Sequence, residues 1–131
     1  MSARTVAVDF DGVIHAYSRG WADGSIYDEP EPGAIVALEV LMRKGFAVFV
    51  HTTRDPWPVA QWLDAQGLPA VIELGTGPGT AVQVREFWND TTQILVTNRK
   101  LPAVAYIDDR AIQFETWPQA LDALKALTGG A

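Results

Sequence analysis

Cysteine is absent from the 131 residues, which excludes disulfides and thiolate chemistry at the outset. Long apolar runs are also missing. None approaches membrane-spanning length, and the opening "MSARTVAVDF" lacks a signal-peptide apolar region, so the sequence leads one to expect a cytoplasmic protein with no membrane partner. Basic residues are few: 10 Lys and Arg against 16 Asp and Glu leave a net charge of −6, which argues against a broad nucleic-acid-binding surface. That balance still admits a small phosphorylated substrate, because a metal ion can reverse the local sign. Repeats, low-complexity tracts and interdomain linkers are absent as well. What is present is an ordinary globular composition, 48% hydrophobic and 20% charged, so the expectation is one compact domain over residues 1–131. Nothing in the sequence fixes the oligomeric state.

Short apolar runs alternate with helical patterns, which predicts an α/β protein with a parallel sheet. "TVAVDF" reads as the first strand, and "FAVFVHTT", "AVIEL", "TQILVTN" and "AVAYID" as later ones. "GAIVALEVLMRKG" predicts a helix with Ile35, Leu38, Leu41 and Met42 on one face and Gly45 as its stop. Asp55 followed by Pro56 predicts the capped start of a second helix, with Val59, Trp62 and Leu63 facing inward. Residues at about 14–32, rich in Gly, Pro and Asp, read as a loop or small hairpin insert. In "GTGPGTAVQVREFWND" the glycines suggest a loop, while Val84, Phe87 and Trp88 fit a short helix. "TWPQALDALKAL" predicts a closing helix.

In a parallel sheet, ligands bind beyond the carboxyl ends of the strands. Four polar clusters fall there: Asp9/Asp11, Thr52/Thr53, Asn98/Lys100 and Asp108/Asp109. Asp9 and Asp11 lie so close together at the edge of a core that they repel and lose hydration unless something positive sits between them. Their residue types suit phosphoryl transfer. A carboxylate can attack phosphorus, Mg²⁺ and a lysine can neutralise the phosphoryl group, and a second acid can protonate the leaving oxygen.

These clusters, in this order, resemble the haloacid dehalogenase (HAD) superfamily. "DFDGV" looks like its D-x-D motif, "VFVHTT" its second motif, Lys100 its third and "AYIDD" its fourth. The resemblance implies a three-layer Rossmann-like fold with a central, mainly parallel sheet and little or no cap domain. It also implies a Mg²⁺-dependent phosphatase acting on a small phosphorylated substrate, such as a nucleotide or sugar phosphate. Asp9 would be the nucleophile that becomes an aspartyl-phosphate, Asp11 the general acid/base, Thr52 or Thr53 the phosphate-binding hydroxyl, and Asp108 or Asp109 the acid that completes the metal site with Asp9 and Asp11. Two other functions compete with it: a catalytically silent HAD-like binding protein, and a phospho-receiver module.

Other residues carry two readings each. His15, beside the proposed site, is either a substrate contact or a structural histidine, and His51 leans to a packed or hydrogen-bonded role. Arg54 either binds the substrate's phosphate or pairs with a nearby acid, Asp55 being the neighbour in sequence. Arg110 is open in the same way, with Asp109 as its neighbour. Arg99 competes with Lys100 for the cationic role. Trp21 and Tyr27 either cover the site or build a small local core. Trp62, Trp88 and Trp117 read as core residues.

Overall fold

Near-continuous apolar runs become the centre of a parallel sheet, as expected for strands buried on both faces. The computed structural model describes residues 4–78, 80–84, 86–108, 112–113, 116–119 and 121–122. Its strands are β1 (Thr5–Asp9), β2 (Ala47–His51), β3 (Ala70–Glu73), β4 (Ala81–Val82), β5 (Ile94–Thr97), β6 (Ala105–Asp108) and β7 (Ile112–Gln113). Two helices, α1 (Ala34–Arg43) and α2 (Pro56–Ala65), lie in the connections that follow β1 and β2. The strands form one seven-stranded sheet in the order β4-β3-β5-β2-β1-β6-β7. Every neighbouring pair runs parallel. Among the described residues β4 and β7 each have one neighbour, so the sheet is open.

Side chains alternate across this sheet, and each face has its own core. Val6, Val8, Val48, Val50, Val96 and Ile107 share a cluster with Leu38 and Leu41 of α1 and Val59 and Leu63 of α2. Ala7, Phe49, Val71 and Leu95 belong to a second cluster with Trp88 and Leu101. Both helices therefore cover one face, as right-handed crossovers running in one direction require. The chain then reverses direction from β4 to β5 and continues that way to β6, and the β5–β6 connection brings Leu101 to the other face. The short helix expected around Val84, Phe87 and Trp88 is absent: the described residues there are not helical. Trp88 is buried all the same, at 5% exposure, so an apolar anchor holds this face without a helix to carry it.

Local chemistry fixes the helix ends. The side chain of Asp55 accepts the Trp57 N–H at 3.2 Å, and Pro56 occupies the first turn of α2, where its missing N–H costs nothing. At the end of α1 the Gly45 N–H reaches the Met42 carbonyl and the Phe46 N–H reaches that of Leu41, both at 3.0 Å. Gly45 has φ +90°, the left-handed conformation this termination needs. α2 ends with the same pairing, Leu68 N–H to the Leu63 carbonyl at 3.1 Å. Trp117 is buried in the helix-bearing face, and its indole donates to the Val13 carbonyl at 3.0 Å. Of the expected closing helix, residues 117–119 and 121–122 are helical, and 120 and 123–127 lie outside the described residues. No helix of the described residues is long and apolar enough to cross a membrane.

Candidate functional site at the carboxyl edge

The strand order reverses around β1, which has β2 on one side and β6 on the other, and this is where open α/β sheets place ligands. Register sets the residues there. Asp9 is level with His51, and His51 with Thr97. Val8 is level with Ile107, so Asp108 follows beside Asp9. One row at the carboxyl edge thus reads Asp108, Asp9, His51, Thr97. Over it opens a cleft of about 270 Å³ lined by Asp9, Asp11, His51, Thr52, Thr53 and Lys100. Five site residues expected from sequence therefore converge. Asp108 stands in the row and is buried, at 4% exposure. Asp109 and Arg110 lie outside the described residues.

The turn after β1 aims the acid pair. The Phe10 carbonyl accepts the N–H groups of Val13, Ile14 and His15 at 2.9 to 3.2 Å, and Gly12 adopts φ +80°. A Cβ at Gly12 would meet nothing within 4 Å, so the backbone conformation, not space, calls for glycine there.

Asp11 is held from both sides. Its Oδ2 accepts from Arg54 Nε at 2.8 Å, and its Oδ1 lies 2.9 Å from His15 Nδ1. The His15 Nε2 accepts the Asp28 N–H at 3.0 Å, so Nδ1 carries the proton and donates to Asp11. The imidazole is fully buried, stacked on Phe10 at 5.4 Å and met edge-on by Tyr27 and Trp62. This corrects the reading of His15 as a substrate contact: both ring nitrogens are engaged and no surface remains. Arg54 is also buried, and its Nη1 donates to the Gly24 carbonyl at 2.7 Å. Its partner is Asp11, 43 residues away, and not its sequence neighbour Asp55.

The far side of the cleft has its own scaffold. Asn98 Nδ2 donates to the carbonyls of Thr52 and Arg54 at 2.7 and 3.0 Å, clamping the segment after β2. His51 Nε2 lies 3.1 Å from the Asn98 carbonyl, a hydrogen-bonded role. Arg99 pairs with Glu73 at 2.7 Å, and Thr97 donates to the same carboxylate at 2.5 Å. Burial pushes the Glu73 carboxyl up, but the Arg99 guanidinium and the Thr97 hydroxyl outweigh it and hold it below its ordinary value. Arg99 is therefore engaged with β3, while Lys100 lines the cleft. Asn98, expected from sequence as a strand-end polar residue, thus positions the segment after β2, while Glu73 is a positioning residue that sequence reasoning missed, because it acts across strands distant in the chain. Among the described residues, no three His, Cys, Asp or Glu side chains group as a metal site.

Tyr27 takes the local-core reading, while Trp21 lies outside the lining of the cleft. Tyr27 packs on His15 and donates to the Gly20 carbonyl at 2.8 Å. Trp21 is 54% exposed and lies over the Arg54 guanidinium, 4.4 Å from ring to cation.

No family model matches the chain. Its curated relatives include a thiazole synthase of Magnetococcus marinus, 35% identical over 89 residues, which are 64% of this chain and 26% of that protein. A thiazole synthase of Nitrosospira multiformis is 34% identical over 68 residues, 52% of this chain and 25% of the relative. The chain spans about a quarter of the length of these relatives. Among solved structures, a conserved protein of Bacteroides thetaiotaomicron superposes with a TM-score of 0.57 at 25% identity, covering 93% of this chain and 89% of that one. These relatives correct the sequence reading. The curated ones are named thiazole synthase, so the HAD assignment is overturned. With it go the Mg²⁺-dependent phosphatase, its aspartyl-phosphate intermediate, and the silent HAD-like and phospho-receiver alternatives.

Proposed function

We propose that the carboxyl-edge cleft is a catalytic site for a small, anionic, oxygen-rich molecule, and that its side chains assist a bond-forming reaction by moving protons, as in a synthase. The observation that carries this reading is the convergence of Asp9, Asp11, Thr52, Thr53 and Lys100 on one cleft above the point where the strand order reverses. The partial likeness to thiazole synthases supports the reaction class. Building a heteroaromatic ring moves protons on and off carbon and nitrogen, work that a carboxylate and a lysine amine can share. We assign the fold as a Rossmann-like open sheet, a reading supported by its parallel order and by the reversal around β1.

Asp9, at the centre of the row, is the proposed general base. Asp11, gripped by Arg54 and His15, positions the loop above it and keeps the edge of the site charged. Lys100 meets the substrate's anionic group, and the Thr53 hydroxyl, exposed beside it, donates a hydrogen bond. Thr52 is buried, and its Oγ1 accepts the Arg54 N–H at 3.1 Å, so it shapes the cleft wall. Asp9 and Asp108 are adjacent strand-end carboxylates, a donor number that suits Mg²⁺ with waters completing its shell. Bound there, the ion would offset charge on an anionic substrate.

The test is genetic. The chain is supplied to a bacterium whose own thiazole synthase gene is deleted, and growth without added thiazole is measured beside the Asp9→Asn variant. Growth that depends on Asp9 is the expected result. Absence of growth with folded protein present would overturn the reaction class.

A further inference from the structure

A second pocket is tied to the cleft through Arg54, which lines the pocket and pairs with Asp11 of the cleft. It measures about 570 Å³, and its walls include Trp21, Ile26, Pro58, Trp62 and Arg54. Two indoles offer flat apolar surface and Pro58 adds an aliphatic edge, a lining that suits a planar group. The polar feature is unusual. Arg54 spends Nε on Asp11 and Nη1 on Gly24, but Nη2 is buried with no hydrogen-bond partner among the described residues. A buried donor left unmatched is costly, and native proteins rarely leave one without a reason. Trp21, which lies over this guanidinium, is more than half exposed and sits in a loop where Ala22 adopts φ +52°. The exposed indole is therefore the group that a ligand reaching Nη2 would displace.

We propose that this pocket is a subsite for a planar, heteroaromatic ring bearing an acceptor oxygen, with Trp21 stacking on the ring and Arg54 Nη2 donating to the acceptor. The inference rests on the cleft reading only for what the ring is attached to. The pocket's shape and its unmatched donor stand without it.

Nicotinate serves as the probe, being a flat heteroaromatic ring with a carboxylate. Cyclohexanecarboxylate, with the same anion on a puckered ring, is the comparator. Binding is followed through the indole N–H signals in nitrogen-15 NMR spectra. Nicotinate is expected to shift the Trp21 and Trp62 signals saturably and to bind at least about five-fold more tightly than the comparator, the low end of what one stacked aromatic contributes. Trp21→Ala, a change at an exposed position, is expected to weaken nicotinate about five-fold or more, and Arg54→Lys to weaken it as well. Asp9→Asn is expected to leave nicotinate affinity unchanged, which separates failure of the cleft reading from failure of this one. Equal affinity for the two carboxylates, unchanged binding in Trp21→Ala, loss of binding in Asp9→Asn, or no saturable shift would each overturn the subsite.

Discussion

Replacing Arg54 by methionine tests whether the Asp11–Arg54 pair organises the cleft. The Arg54 side chain is 4% exposed and that of Asp11 23%, so the pair is sheltered on one side and wet on the other. Removing one member of a fully buried pair costs about 3–5 kcal/mol. Asp11 keeps His15 and some water, which reduces that to about 2–3 kcal/mol. The Gly24 carbonyl loses its donor, adding about 1 kcal/mol, and the stacked indole loses its cation, adding about 0.5 kcal/mol. Methionine retains the apolar stem, and removing the unmatched Nη2 returns about 1 kcal/mol. The net expectation is a loss of about 3 kcal/mol, or on the order of 10 °C in Tm for a domain of this size. Urea unfolding followed by circular dichroism measures it. Combining Arg54→Met with Asp11→Asn should cost at least about 1 kcal/mol less than the sum of the single variants, because each removes the same contact. A loss below about 0.5 kcal/mol, or strict additivity, would refute the reasoning.

Three further outcomes follow from the packing and the charges. Leu63, fully buried between α2 and the sheet, should cost about 2–5 kcal/mol as Leu63→Ala, measured by urea denaturation. Asp55→Ala should cost about 1 kcal/mol through the lost cap of α2, with a matching fall in thermal midpoint. The Ser18 hydroxyl, then the Ser18 and Glu29 N–H groups, hold the Asp28 carboxyl down from 3.8 to about 2. The stability this contributes is complete above 3.8 and is lost as pH falls from there to about 2, because the unfolded chain takes up the proton first. The gap in stability between the native chain and Asp28→Asn should therefore narrow across that window in acid titrations of unfolding.

The central strands were legible because burial on both faces demands uninterrupted apolar residues, as in Val6 to Val8 and Phe46 to Val50. α1 and α2 were legible through periodicity and through punctuation at Asp55, Pro56 and Gly45. β4 and β7 were not, since two-residue strands such as Ala81–Val82 are defined by their partners and leave no local pattern. Trp88 shows the opposite failure: its apolar spacing suggested a helix, but one large side chain can anchor an irregular segment without periodicity. The described strand-end polar residues gather at the carboxyl edge because that edge of a parallel sheet collects them, which is what made their location legible. Their pairing was not. Arg54 looks towards its neighbour Asp55 in sequence, while the fold gives it Asp11, and His15 is swallowed by aromatic rings whose closeness no local pattern reveals. The acid pair also misled about family, because two carboxylates at a strand end serve several chemistries, and function follows the site and not the motif alone.

The most direct test of the central claim is a Mg²⁺ titration of the nitrogen-15-labelled chain, followed by backbone NMR shifts in the native protein and in Asp9→Asn. The account predicts saturable shifts concentrated at residues 9–12, 51–54, 97–100 and 108, and their loss in Asp9→Asn. Shifts scattered over the acidic surface, or an identical response in the variant, would contradict the placement of the functional site at the carboxyl edge of the sheet.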